Sequence, residues 1–283
     1  MYNAHITRRH KGAIVILLDR SGSMAEMVQF EGREMTKAEA LSNCVNTLLE
    51  EIINRCYRER YPSDYFDVAI IGYAGEGATS LFGSSGFRSI IKVDSMYVPV
   101  RNVHRTRTLP SGERFDTVIE RREWVAPEAK GRTPMGDALR MARRMVCSWC
   151  RKHPDSFPPV VINITDGEAT DATPEEIRAL AARLREAGTK DGNVLFVNIH
   201  LATADQHSSM ALSYPSEEEA LPINRHSKLL YDISSTLPSL YDAAIINLKG
   251  GGRPPFRAVC YNTSINELVG LLAIGSLSIN QLL

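Results

Sequence analysis

The chain carries no excess of charge: 33 lysines and arginines balance 33 aspartates and glutamates over 283 residues. Without a net positive field, general nucleic-acid binding and recruitment to an acidic membrane are not expected. Long apolar runs are missing too. Leu268 to Leu277, the most apolar stretch near the C-terminal end, is well short of the ~20 residues a membrane helix needs. Met1 to Gly12 is polar, with Arg8, Arg9, Lys11 and two histidines, and has no apolar segment of the kind a secretory leader carries. Cysteine is sparse and odd in number, at five, which argues against a disulfide framework and for a reducing, cytoplasmic setting. Gly75 to Gly86 is rich in glycine and serine, yet no Gly-Lys-Ser/Thr closes it. It reads as a loop and not as a phosphate cradle.

What is present is enough apolar material, 43% of residues, for one sizeable core. The stretch Ala13-Ile14-Val15-Ile16-Leu17-Leu18 is unbroken and partly β-branched, the pattern of a strand buried on both faces. It ends on Asp19-Arg20-Ser21-Gly22-Ser23. Comparable strands are predicted at 67–74, at 160–164 and at 193–201. The second of these runs into Thr165-Asp166-Gly167-Glu168. Helix signals lie between them. Thr36 and Glu39 form a capping-box pair ahead of Leu41, Val45, Leu48, Leu49, Ile52 and Ile53, and Pro174 with Glu175 and Glu176 opens another helix. Alternating strands and helices predict an α/β fold with a doubly wound, mostly parallel sheet flanked by helices.

Other segments carry weaker patterns. Met24 to Met35 reads as a loop. Arg88 to Val125 reads as a β-rich insertion with extended pieces at 90–93, 96–103 and 115–119. Its basic run Arg101 to Arg107 suits a solvated edge or, alternatively, a partner-binding face. Lys228 to Ser234 reads as a short last strand and Leu237 to Leu248 as a helix. After the Gly250–Pro255 link, an extended piece and an apolar helix at 265–274 are expected. His200 is expected to be packed, since no second histidine or cysteine accompanies it. Cys147 and Cys150, without a second pair, are expected to be structural.

A carboxylate and two hydroxyls at a strand end supply hard oxygen ligands for a small divalent cation. Two further segments bear on that chemistry. Gly131-Arg132-Thr133-Pro134-Met135-Gly136 places a threonine just before a helical stripe, where it could equally be a plain N-cap. Asp166 ends a second apolar strand. In this order the three segments resemble the DxSxS, GxTPxG and TDG elements of von Willebrand factor A (vWA) domains, over roughly residues 13–248. The resemblance implies a single Rossmann-like vWA domain spanning 1–283, with a core at 13–248, an insertion at 75–130 and a C-terminal extension at 249–283. It also implies a metal-ion-dependent adhesion site of Asp19, Ser21, Ser23, Thr133 and Asp166 that binds Mg²⁺, or Mn²⁺ or Ca²⁺. Ser21 and Ser23 would coordinate directly, Thr133 directly or through water, and the two aspartates mainly through water.

The function so implied is non-enzymatic, with no catalytic residues. The metal would bridge to an aspartate or glutamate of a partner protein, such as an AAA+ ATPase, a kinase or a phosphatase, within a multi-protein bacterial system. Stand-alone bacterial vWA proteins associated with tellurite resistance are the subfamily it most resembles. The opposing reading is a Mg²⁺-dependent hydrolase or phosphotransferase that uses Asp19. Against it, no lysine or second acid adjoins Asp19 in the sequence, and no histidine is evidently placed as a base beside Ser21 or Ser23.

Overall fold

In the computed structural model the described residues are 1–30, 33–58, 61–83, 86–108, 114–201, 211–217, 219–221 and 225–263. The apolar helix expected at 265–274 lies outside them.

β1 (Gly12–Asp19) leads through a short 3-10 turn into a hairpin of β2 (Met27–Phe30) and β3 (Arg33–Thr36), and then into α1 (Lys37–Cys56). A small hairpin of β4 (Tyr57–Arg58) and β5 (Tyr61–Pro62) precedes β6 (Phe66–Ala74), which pairs with β7 (Gly77–Ser80) and β8 (Arg88–Ser89). Next come α2 (Ile90–Asp94), the paired β9 (Val100–Thr108) and β10 (Arg114–Arg122), and α3 (Met135–Lys152). β11 (Val160–Thr165), α4 (Pro174–Arg185), the short pair β12 (Gly188–Thr189) and β13 (Gly192–Asn193), and β14 (Leu195–Leu201) follow. β15 (Leu212–Ser213), α5 (Arg225–Ile233), α6 (Asp242–Lys249) and β16 (Val259–Thr263) complete the described chain.

The main sheet has eight strands in the order β15-β16-β14-β11-β1-β6-β7, with β8 also on β6. The five inner strands run parallel; β15, β7 and β8 are antiparallel. This is the doubly wound, mostly parallel α/β arrangement predicted from the sequence. Every residue of β1 is buried because helices cover both faces of the sheet. Ile14, Ile16 and Leu18 pack with Leu41, Val45, Leu48 and Ile52 of α1. Val15 and Leu17 pack on the other side with Leu139 and Ala142 of α3 and Ile177 of α4. Both expected capping boxes form, Thr36 with Glu39 and Thr173 with Glu176. From β1 the chain crosses to β6 on one side and later enters β11 on the other. The strand order therefore reverses between β1 and β11, the switch point where such sheets hold ligands.

Several local expectations are corrected. Met24 to Met35 is not a loop but mostly the β2–β3 hairpin. Gly77–Ser80 leaves the expected loop to pair with β6. The 90–93 piece is helical: Ile90 and Val93, three apart, are both buried, a helical spacing that a short apolar run does not distinguish from a strand. Lys228 to Ser234 lies largely in α5, with Leu230 and Ile233 buried on one side. The last strand of the sheet is instead β16, inside the stretch expected as an extension, and it is buried throughout. No described helix is long and apolar enough to cross a membrane.

The stretch 75–130 holds β7 and β8 of the main sheet as well as the β9–β10 hairpin; the side chains of 103–116, most of the basic run included, lie outside the description. The root of the β9–β10 hairpin is held by buried contacts: the Ser42 hydroxyl donates to the Val125 carbonyl, the Trp124 indole N–H to the Val93 carbonyl at 2.9 Å, and one amide makes three bonds. Asn46 of α1 accepts hydrogen bonds from the backbone N–H of Trp124 and of Val125, both at 3.0 Å, and donates to the Val125 carbonyl at 3.0 Å. Asn46→Ala leaves two buried N–H groups without an acceptor. It should cost about 2–4 kcal/mol in urea unfolding and raise amide exchange first at Glu123 to Val125; unchanged exchange there would show that another contact holds the root.

Candidate metal centre

β1 and β11 are neighbours in register from Ile14↔Val160 to Leu18↔Ile164. That pairing brings Asp19 and Asp166 to the same carboxyl-terminal edge. Asp19 is 1% exposed and Asp166 5%, so each carboxylate needs partners. Asp19 Oδ1 accepts from the Ser21 N–H at 3.0 Å, and Oδ2 accepts from the Thr165 hydroxyl at 2.6 Å. Asp166 Oδ1 accepts from the Ser23 hydroxyl at 2.6 Å, and Ser23 Oγ lies 3.1 Å from Ser21 Oγ. Asp166 Oδ2 is 3.3 Å from the ammonium of Lys37, which also pairs with Glu26. Ser23 is exposed, so the cluster opens to solvent on that side. Burial pushes the Asp19 carboxyl up to about 6, against hydrogen bonds from Ser21 and Thr165 that lower it; the nearby Asp166 charge adds to the rise.

Thr133 reaches this edge on the loop before α3. The loop is held at both ends of its turn. Gly22 N–H donates to the Gly131 carbonyl at 3.0 Å and Gly75 N–H to the Arg132 carbonyl at 3.1 Å. Gly131 sits at φ +65°, and a Cβ there would lie 2.7 Å from Gly75 Cα, so this approach requires glycine. Thr170 brackets Thr133, its hydroxyl accepting from the Thr133 N–H at 3.0 Å and its N–H donating to the Thr133 carbonyl at 2.9 Å. The plain N-cap alternative does not hold, because Asp171 does that work. Its carboxylate accepts from the N–H groups of Gly136 and Asp137, both at 2.9 Å. A Cβ on Gly136 would fall 2.8 Å from Asp171 Oδ2. The Thr133 hydroxyl is thereby left with no hydrogen bond among the described residues, although Thr133 is only 7% exposed. It lies 4.0 Å from where a side chain on Gly167 would begin.

The five side chains expected at the site thus share one edge. The donor set is two carboxylates and three hydroxyls. Among the described residues no cluster of three or more histidine, cysteine, aspartate or glutamate side chains could hold a metal. A cation here would lean on hydroxyl oxygens and water, a hard set suited to Mg²⁺ or Mn²⁺. The unpartnered Thr133 hydroxyl fits that requirement.

Sequence reasoning missed four contributors: Lys37, Thr165, Thr170 and Asp171. Thr165 lies inside a motif already singled out and Asp171 just beyond it, and a cap-forming acid between strand and helix is a usable signal. Lys37 gave none, since a lysine in the first turn of a helix is ordinarily solvated. Beneath the site a buried polar chain crosses the sheet. The Tyr73 hydroxyl donates to Asn163 Oδ1 at 2.9 Å, Asn163 Nδ2 to Asn198 Oδ1 at 3.0 Å, and Asn198 Nδ2 to Ser234 Oγ at 2.9 Å. His200 is buried at the end of β14, opposite Thr165 in register. Cys150 is buried, and desolvation with Cys147 beside it pushes its thiol up to about 12, which suits a structural cysteine.

No family model matches the chain, and no curated protein does. Among solved structures it is similar to a von Willebrand factor type A protein from Catenulispora acidiphila, with 17% identity and a TM-score of 0.41 over 68% of this chain and 34% of that one. It is similar also to the three N-terminal domains of the type V pili tip protein Mfa5 from Porphyromonas gingivalis (13% identity, TM-score 0.33, 58% of this chain and 22% of that one). A third is an uncharacterized membrane spanning protein from Vibrio fischeri (14%, 0.26, 94% and 98%). The chain spans about a third of the first of these and about a fifth of the second. At such TM-scores the likenesses carry no argument; the strand order defines the fold.

Two outcomes follow from the site's own groups. Asp171→Ala removes the cap of α3 and should cost about 1–2 kcal/mol in chemical denaturation. For Asp19 the folded carboxyl titrates near 6 and the unfolded one near 3.8. The folded state holds the extra proton in that window, so without divalent cation its contribution falls as pH rises from 3.8 to 6 and is flat above. Thermal melts in chelator should show wild type losing ground to Asp19→Asn across that range; parallel curves would refute the assignment.

Proposed function

We propose that this chain is a metal-ion-dependent protein-binding module. The observation that carries the reading is the meeting of Asp19, Ser21, Ser23, Thr133 and Asp166 at the switch point of the sheet, with the Thr133 hydroxyl taken up by no hydrogen bond among the described residues. In this reading Ser21 and Ser23 hold the ion directly, Thr133 directly or through water, and Asp19 and Asp166 mainly through water. The ion, Mg²⁺ or else Mn²⁺ or Ca²⁺, would supply Lewis acidity at this edge, which is open to solvent at Ser23. Two buried carboxylates leave it electrophilic enough to accept a third from outside, an aspartate or glutamate of a partner protein. The vWA resemblance of the three motifs supports this bridging role. It also directs the search for a partner to AAA+ ATPases, kinases and phosphatases of a bacterial multi-protein system in the cytoplasm, of the tellurite-resistance-associated kind.

One observation favours the second reading, a Mg²⁺-dependent hydrolase or phosphotransferase: Lys37 stands beside Asp166, where a phosphoryl-transfer site would use a cation. The nucleophile that reading needs is poorly available. Both oxygens of Asp19 already accept hydrogen bonds, and the side chain is buried. The adhesion reading is therefore preferred.

Mn²⁺ titration of the purified chain by calorimetry should show one site, lost in Asp19→Ala and in Thr133→Ala weakened roughly tenfold, the worth of one good ligand contact. Capture of a partner should need both the wild-type site and Mg²⁺, and should fail when the partner's contacting acid is replaced by its amide. Metal-dependent turnover of a phosphoester that disappears in Asp19→Ala would instead establish the enzyme.

A further inference from the structure

Lys37 is the first residue of α1, and its side chain is only 2% exposed. A buried ammonium needs a compensating anion. Here it has two: Glu26, at the start of the β2–β3 hairpin, and Asp166, 3.3 Å away. Glu26 is also tied to the same residue through the backbone, its carbonyl accepting from the Lys37 N–H at 2.9 Å. The carboxylate of Asp166 is therefore divided. Oδ2 faces the ammonium, and Oδ1 faces the Ser23 hydroxyl, 2.6 Å away.

We propose that Lys37 is the affinity-setting residue of this centre: its ammonium offsets the charge of Asp166, so a divalent cation binds weakly until an outside carboxylate completes the site. This rests on reading the site as a metal centre. The physical basis is the charge count. Asp19 and Asp166 bring two negative charges, and Lys37 returns one positive charge to the second of them. Glu26, half-buried at 26% exposure, draws the ammonium the other way and moderates its effect. Neighbouring cations repel, and a unit charge a few ångströms away, even screened as in water, is worth roughly a factor of ten in binding. A partner's carboxylate restores the missing negative charge, so metal and partner should bind cooperatively, each raising the affinity of the other by the same factor.

The test is Mn²⁺ binding to the isolated full chain, read by calorimetry and by the electron paramagnetic resonance signal of free Mn²⁺. Lys37→Met removes the charge and keeps the length; it should bind Mn²⁺ about tenfold more tightly than wild type, or more. Glu26→Gln leaves the ammonium wholly on Asp166 and should bind more weakly. If Lys37 merely held Asp166 in place, its loss would weaken binding, so the sign of the change separates the two roles. Should Lys37→Met be unfolded when metal-free, Glu26→Gln decides in its place: weaker Mn²⁺ binding than wild type supports the charge role, and unchanged or tighter binding overturns it. Unchanged or weaker binding in Lys37→Met, with binding abolished in Asp166→Asn, overturns the role of Lys37 and leaves the metal centre standing. No Mn²⁺ binding in wild type, in Lys37→Met or in Glu26→Gln overturns both.

Discussion

Two carboxylates buried at one edge of an apolar sheet are the constraint on which the arrangement of loops depends. Asp19 and Asp166 lie at the ends of β1 and β11, strands buried along their lengths and largely apolar. Partners come from the last residue of β11, from the turn after β1 and from the start of α1. The Ser21 N–H and the Ser23 and Thr165 hydroxyls each meet one carboxylate oxygen, and Lys37 takes the last. The strand–turn–helix path from β1 to α1 is shaped by that need. The turn that carries Ser21 and Ser23 and the helix that delivers Lys37 are fixed relative to the same two acids.

The third loop obeys a different rule. Nothing in Thr133's own side chain fixes its place; the surrounding backbone does. Gly22, Gly75 and Thr170 hold the main chain on either side, and Asp171 takes the helix-capping role that would otherwise fall to the threonine. Assigning the cap to a residue from another loop is what keeps the Thr133 hydroxyl available. Local positions here are thus specified by contacts between loops far apart in sequence, a form of preorganisation in which the ligand-bearing atoms are set before a ligand arrives.

Much of this was legible in the chain itself, for definable reasons. Unbroken apolar runs such as 13–18 and 160–164 are readable because a strand buried on both faces has no alternation to blur. Their terminal acids then point to a shared edge. Capping at Thr36 and Thr173 is local chemistry and equally readable. What escaped was set by distant contacts. Ile90 to Val93 is too short for its period to decide between helix and strand, and packing chose helix. The stretch 228–234 has helical spacing at Leu230 and Ile233, which its β-compatible composition masked. β16 could not be assigned to the sheet without knowing that β14 lacked a neighbour on that side. Lys37 escaped for a related reason: its burial follows from Glu26 and Asp166 closing over it, and no local pattern announces that.

The polar chain from Tyr73 through Asn163 and Asn198 to Ser234 runs at right angles to the strands, from β6 across to the end of α5. Each link joins side chains from different segments, and Asn163 and Asn198 spend both ends of their amides in it. A slip of one strand along its neighbour would break links that no water could replace at such depth. The sheet is therefore riveted against shear just below the carboxylates. Whatever docks at the upper edge meets a floor that does not slide, so any rearrangement on docking must be borne by the loops that carry Ser21, Ser23 and Thr133.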